Sequence, residues 1–286
     1  LVRPRLPELL AALPSYAAYL QASRPDVVVS AMAHCNLVAA AAKRFVDGAP
    51  ETVLTERNPF SVRLRLQPSH RRFATLMRSL YPSADRLVGI SDAVSADLAA
   101  FLGLPRERVA TIYNPVYHPE IAERAREVPP HPWFTPEARA ARPVIVSVGR
   151  LHPQKDYATL IRAIAVLRAM RAEMGEPPPR LVVLGEGRER AALARLAERL
   201  DLRDDVDLAG YSDNPYAFMA RAHAFALTSR YEGFGNVTVE ALACGCPVVA
   251  VDSPGGQAEL LAHGRYGRLV PPGDAADWTH PPFSGT

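Results

Sequence analysis

Lysine is nearly absent from this chain. Of 33 basic residues among 286, only Lys43 and Lys155 are lysines. Set against 30 acids, the net charge is +3, too small a surplus to argue for a nucleic-acid partner. With the abundant alanine, the preference for arginine reads as the imprint of a GC-rich bacterial genome. Cysteine is scarce and odd in number: Cys35, Cys244 and Cys246. The last two flank Gly245 in an apolar stretch, so small buried thiols in a reducing cytoplasm are expected rather than a disulfide, redox or metal site. No run of 18 apolar residues occurs, the length a membrane-crossing helix needs. No repeat of solenoid length is present. Residue 1 is leucine, with no initiator methionine or signal pattern, and residues 278–286 lack periodicity. A fragment at both ends, turning over poorly by itself, is the expectation.

What is present is a globular composition, 48% hydrophobic and 22% charged, long enough for two domains. Apolar residues at helical spacing (Leu9, Leu10, Leu13, Tyr16, Leu20) predict a helix over 6–22. Strands are predicted at 26–30, 51–55, 86–90 and 109–112, and helices at 36–45, 69–81 and 91–102. Ser91 or Asp92 suits the cap of the last helix. Prolines 129, 130, 132, 136 and 143 then crowd the chain, and residues 120–142 read as a stiff interdomain linker. Further strands follow at 143–148, 181–184, 206–209, 224–228, 247–251 and 268–270, alternating with helices at 157–170, 188–200, 216–222, 236–243 and 257–261. Such alternation implies parallel sheets with helices on their faces. The fold class is α/β: a partial Rossmann-like domain over 1–119, the linker, and a second Rossmann-like domain over 143–286. Ligands of open parallel sheets bind at the carboxyl ends of the strands.

One stretch organises the rest: SRYEGFGNVTVEALACGCPVVAVDSPGGQAEL, residues 229–260. Glu232 and Glu240 lie eight residues apart, with Gly233-Phe234-Gly235-Asn236 between them. The turn leads into the short helix 236–243, which Gly245 and Pro247 stop. Backbone N–H groups of Gly235, Asn236, Val237 and Thr238 at the start of that helix make an anion site. Helix side chains lean towards the N-terminus, so Glu240 reaches the same mouth. A carboxylate repels phosphate but accepts hydrogen bonds from sugar hydroxyls. Glu232, before the turn, is placed to hold a second set of hydroxyls. Phosphate flanked by two polyols describes a nucleotide sugar.

The glutamate pair, the Gly-rich turn and the following Ala-Cys-Gly-Cys-Pro-Val-Val resemble the signature of the group 1 (family 4) retaining glycosyltransferases of GT-B fold. That resemblance implies a ribose contact for Glu240, a donor-sugar contact for Glu232, and sugar and diphosphate contacts for Phe234, Gly235 and Asn236. A second motif agrees. Gly149-Arg150-Leu151-His152-Pro153-Gln154-Lys155 follows the first strand of the second domain. Gly149 permits a tight turn, and Arg150 and Lys155 set two cations where a diphosphate would lie. This loop resembles the family's diphosphate-binding arginine and lysine. The resemblance also implies that Gly185 in Gly185-Glu186-Gly187, with Gly210 and Tyr211, borders the base. The Gly-x-Gly lacks the third glycine of a dinucleotide fingerprint.

Weaker signals are read beside their bland alternatives. Asp205-Val206-Asp207 has metal-binding spacing but reads as turn and edge residues, and no metal or cofactor is expected. His34, near a strand's carboxyl end, is either structural or the family's donor-sugar histidine. Arg57, in the polar loop Glu56-Arg57-Asn58-Pro59, is set to meet an acceptor phosphate. Between Arg57 and Arg86 there are seven arginines against one acid, Asp85. The helix opened by Ser69 and closed by Tyr81 carries Phe73, Leu76, Met77, Leu80 and Tyr81 on one face. It is either an ordinary core helix or a peripheral contact with anionic lipid.

The resemblance therefore implies a retaining enzyme. It would move sugar from a nucleoside-diphosphate donor, UDP ahead of GDP, to a glycan or lipid-linked acceptor in cell-envelope or exopolysaccharide synthesis. Arg150, Lys155, Glu232 and His34 are its expected catalytic residues, and its expected location is the cytoplasm or the inner membrane face. A non-catalytic nucleotide-sugar-binding fragment and a sugar-nucleotide epimerase of the same fold are the rival readings.

Overall fold

A computed structural model describes residues 6–66 and 71–273. Ser69 and the aperiodic 278–286 lie outside the described residues. The chain divides into two compact units. The first comprises residues up to Asn114 with Pro254–Gly256, and the second comprises Pro115–Ser253 with Gln257 onward.

Unit 1 contains α1 (Leu6–Ser23), β1 (Val27–Ala31), α2 (Ala33–Ala42), β2 (Glu51–Glu56), α3 (Phe60–Leu66), α4 (Arg71–Leu80), β3 (Arg86–Gly89), α5 (Asp92–Leu102) and β4 (Val109–Thr111). Its four strands are parallel in the order β1-β2-β3-β4. Ser91 caps α5 by accepting from the Val94 N–H at 3.2 Å, and Gly103 closes it in the left-handed region. No helix is expected from sequence over 60–66, yet α3 forms there and buries Phe60 and Val62. The apolar face of α4 is occupied: Ala74, Met77 and Tyr81 are buried in the unit 1 core, with Phe73, Leu76 and Leu80 packed against it. Arg78 donates to the Phe101 carbonyl at 3.1 Å and stacks on that ring. The lipid-facing reading of this helix thus loses its apolar face, and Arg71 and Arg72 remain exposed.

Unit 2 contains α6 (Glu120–Arg124), α7 (Pro136–Ala141), β5 (Val144–Val148), α8 (Tyr157–Glu173), β6 (Arg180–Leu184), α9 (Arg190–Arg199), β7 (Val206–Gly210), α10 (Pro215–Met219), β8 (Ala224–Leu227), α11 (Asn236–Ala243), β9 (Val248–Val251), α12 (Gln257–Leu260) and β10 (Arg268–Val270). Its six strands are parallel in the order β10-β9-β8-β5-β6-β7, the doubly wound Rossmann order. The strands read as continuous apolar runs because both faces are covered. Leu181, Val183, Ala226, Val249 and Val251 pack with α8 and α9. Their sequence neighbours Val182, Leu184, Phe225, Val248 and Ala250 pack with α10, α11 and Phe134 on the other face. That alternation is the period of two that a strand imposes.

Residues 120–142, expected as a linker, are built into unit 2. Pro132 and Pro136 sit in the first turns of a 3-10 turn and of α7, where no N–H is required. Thr135 caps α7 through the Ala138 N–H at 3.2 Å. Ile121 and Phe134 are buried, and Arg142 pairs with Asp205. Two of the prolines here, Pro132 and Pro136, mark helix starts.

Candidate functional site

The strand order of unit 2 reverses between β5 and β8. Each is followed at its carboxyl end by one of the two motifs, so both meet at the switch point, where open α/β sheets bind ligands. The β5–α8 and β8–α11 loops are fastened together. The Arg230 N–H donates to the Gln154 carbonyl at 2.8 Å, Gln154 Nε2 to the Tyr231 carbonyl at 3.0 Å, and Thr228 Oγ1 to the Lys155 carbonyl at 2.8 Å. Tyr157, buried below, donates to the Gly149 carbonyl at 3.1 Å, and burial raises its phenol pKa.

From sequence Lys155 is expected at the diphosphate and Glu232 at the donor sugar. The two form an ion pair, Nζ to Oε1 at 2.6 Å, with side-chain exposures of 16% and 12%. The same oxygen accepts from Ser229 Oγ at 2.7 Å. The lysine charge is therefore already balanced. Arg150 is exposed near the start of the loop and has no ion pair among the described residues, which leaves it the less compensated cation of the loop.

α11 begins where the spacing predicts. Gly235 precedes it with φ +94°, a conformation glycine adopts without strain. A Cβ there would overlap the Nε2 atom of Gln257. Glu240 lies one turn into α11, half-buried. Burial raises its carboxyl pKa, and His118 pulls it down by less. Glu240 in turn helps raise the pKa of Tyr216, although burial of that phenol is the larger cause. Phe234 is buried, while Asn236 is exposed at the helix start.

Gly185 is required by close approach, because a Cβ there would overlap the Gly149 carbonyl. Its N–H donates to the Gly210 carbonyl at 2.7 Å, which joins three loops backbone to backbone. Tyr211 is 77% exposed beside them. The Gly-x-Gly thus serves loop packing at the rim of the site.

The other acids are engaged elsewhere. Asp205 pairs with Arg142 and, at 3.6 Å, with Arg168, and Asp207 meets His131 at 2.9 Å. Burial pushes the Cys244 thiol up to about 11, with the Glu240 charge adding to it, and the Cys246 thiol to about 12.

His34 and Arg57 belong to unit 1. His34 lies half-buried in the first turn of α2, its pKa lowered by burial first and by Arg63 second. Arg57 is exposed just after β2. Glu56, expected in the same polar loop, is instead the last residue of β2 and 1% exposed. It accepts from Tyr81 Oη at 2.6 Å and from Asn36 Nδ2 at 3.1 Å, and burial raises its pKa.

Three contributors escaped the sequence reading: Ser229, which holds Glu232, and Gln257 with Thr238, which brace the turn. Ser229 stands three residues before Glu232, a weak local signal. Gln257 carries none, since its partners come from a different loop.

The family described as "Glycosyl transferases group 1" matches residues 134–280, and "Glycosyltransferase Family 4" matches residues 1–118. The chain is 35% identical over 195 residues to the N-acetylgalactosamine-N,N'-diacetylbacillosaminyl-diphospho-undecaprenol 4-alpha-N-acetylgalactosaminyltransferase of Campylobacter jejuni, spanning 68% of this chain and 49% of that protein. It is 38% identical over 136 residues to the lipopolysaccharide core biosynthesis glycosyltransferase LpsE of Rhizobium meliloti, spanning 48% of this chain and 37% of that one. This chain thus spans half or less of the length of these curated relatives. In fold it matches Anabaena HepE, solved in complex with UDP, with a TM-score of 0.74 at 24% identity over 97% of this chain and 72% of that one. HepE has also been solved with UDP-glucose. Two Rossmann-like parallel-sheet units, both family matches and these relatives agree: the chain belongs to the group 1 glycosyltransferases of GT-B fold.

Proposed function

We propose that this chain moves a sugar from a nucleoside-diphosphate donor to a glycan or lipid-linked acceptor, with retention of anomeric configuration. The observation that carries the proposal is the meeting of two motifs 77 residues apart in sequence, Lys155 with Glu232, at the switch point of one sheet. Cations, a helix start and a half-buried carboxylate then lie at one sheet end. That combination suits a diphosphate flanked by hydroxyl-bearing rings.

In this account Glu240 receives the ribose hydroxyls and Glu232 the donor sugar. Gly149, Arg150, Lys155 and the amides of Gly235, Asn236 and Val237 take the diphosphate, and Gly185, Gly210 and Tyr211 border the base. The acceptor oxygen bonds to the anomeric carbon on the face that the departing diphosphate leaves. The bond from that carbon to phosphate oxygen breaks, and the acceptor proton passes to a phosphate oxygen. Fixed donors aimed at the developing charge lower the barrier. In unit 1, His34 is assigned to the donor sugar and Arg57 to an acceptor phosphate. UDP is the favoured donor nucleotide, with support from the HepE complexes. GDP is the next to test. A lipid-linked or polysaccharide acceptor in envelope synthesis is supported by the names of the Campylobacter and Rhizobium relatives. No helix among the described residues is long and apolar enough to cross a membrane. A peripheral contact through the exposed Arg71 and Arg72 would be electrostatic.

The deciding experiment supplies radiolabelled UDP- and GDP-sugars with a membrane lipid extract or purified glycan. Label carried into lipid or glycan, with the donor's anomeric configuration, supports the reading. Donor interconversion without an acceptor would replace it with epimerisation. Tight binding of donor with no turnover across acceptors would reduce the chain to a binding module.

A further inference from the structure

We infer that Gln257 is a positioning residue for the donor: its buried side-chain amide clamps the turn between Phe234 and Thr238 and thereby fixes the aim of the amides that open α11. The inference rests on the donor-site reading above. Gln257 is 1% exposed and opens α12. Both ends of its amide are used, one on the turn before α11 and one on the first turn of α11. Nε2 donates to the Phe234 carbonyl at 3.2 Å, and Oε1 accepts from Thr238 Oγ1 at 2.9 Å. These partners stand on either side of Gly235. The amide lies so close over Gly235 that a Cβ there would overlap its Nε2 atom. Gly235 gives α11 no side-chain cap. The start of α11 therefore depends on bracing from another element, and Gln257 supplies it from α12.

The chemistry fits an amide better than its neighbours in size. A carboxylate at 257 would set a charge against the Phe234 carbonyl. Leucine would remove the buried hydrogen bonds that Gln257 makes to that carbonyl and to the Thr238 hydroxyl, a loss that costs stability. A residue that fixes backbone donors in one orientation spares the ligand that ordering. Gln257 would thus act on the diphosphate and sugar end of the donor through the turn, without touching it, and leave the ribose contact at Glu240 alone.

The test uses the full chain and the variants Gln257→Leu, Gln257→Glu, Thr238→Val and Thr238→Ser. Amide hydrogen exchange of residues 235–238 is read without ligand, and affinities for UDP and uridine are read by calorimetry and competition. In Gln257→Leu and Gln257→Glu, exchange of those amides is expected to quicken about ten-fold. UDP affinity is expected to fall about ten-fold, the scale of one hydrogen bond to a charged group, while uridine affinity changes less than about two-fold. Thr238→Val should shift both readouts the same way by less, and Thr238→Ser, which keeps the hydroxyl, should match the parent. If Gln257→Leu does not fold, the valine–serine pair at 238 carries the test. Unchanged exchange in every variant would overturn the inference, and so would equal loss of UDP and uridine, which marks general loosening. A parent chain that bound neither UDP nor GDP would overturn the donor reading instead. Exchange needs no ligand and would still decide the clamp: faster exchange upholds it and unchanged exchange overturns it.

Discussion

Replacing Lys155 by methionine keeps the stem and removes the charge that faces Glu232. At 2.6 Å and an effective dielectric of about 20, the gross attraction of two unit charges is about 6 kcal/mol. Desolvation and side-chain ordering offset most of that. Exposed pairs are worth ~0–1 kcal/mol, and breaking a fully buried pair costs ~3–5 kcal/mol because one charge is stranded. With exposures of 16% and 12%, and Ser229 still bonded to the stranded carboxylate, Lys155→Met should cost about 2 kcal/mol. For a unit of this size that lowers Tm by about 4–8 °C. Adding Glu232→Gln removes the stranded charge and should restore most of the loss. The assay is thermal denaturation of parent, both single variants and the double variant, read as a cycle with an expected coupling of about 1.5 kcal/mol. Single effects that add to within about 0.5 kcal/mol would refute the reasoning and return Lys155 to the role of an uncompensated phosphate cation.

The remaining predictions turn on the same groups. Glu240→Ala should weaken UDP binding by roughly ten- to a hundred-fold, measured by calorimetry, while Glu232→Ala should spare UDP and impair the intact donor sugar; equal losses with UDP would undo the assignment. Glu56 has a native pKa above its ordinary 4.5, so the folded chain holds more protons than the unfolded one just above that pH, and stability falls as pH rises through the window. Glu56→Gln should flatten that fall, and parallel Tm–pH curves for parent and variant above pH 4.5 would count against a buried Glu56 whose carboxyl pKa is raised. Transfer should survive exhaustive EDTA treatment, since the charge of the leaving diphosphate is assigned to Arg150, Lys155 and backbone amides; loss of activity restored by a divalent cation would reopen the metal question.

The features legible in sequence were those set by local rules. The span of α11 and that of β10 are predicted to the residue, because glycine, proline and apolar runs bound them. Both motif loops fall where strand ends put them. What sequence concealed depends on partners brought from afar. Pro132 and Pro136 look like linker composition until they are seen in the first turns of a 3-10 turn and of α7. Glu56 looks like a loop acid until Tyr81 and Asn36 close on it. Lys155 and Glu232 look like independent groups until an ion pair of 2.6 Å joins them. Gln257 carries no pattern at all, since its meaning lies in Phe234 and Thr238, on another loop. The arginine-rich helix shows the converse: the amphipathic stripe is real, but core and lipid make the same demand of a sequence, and the core occupies it.

The most direct test of the donor-site account is a calorimetric titration of UDP into the parent chain and into Arg150→Ala. The account predicts saturable binding to the parent and at least about ten-fold weaker binding to the variant, with UMP distinguished from UDP only by the parent. Equal UDP affinity in the two proteins, or no binding of UDP or GDP to the parent at millimolar concentration, would contradict it.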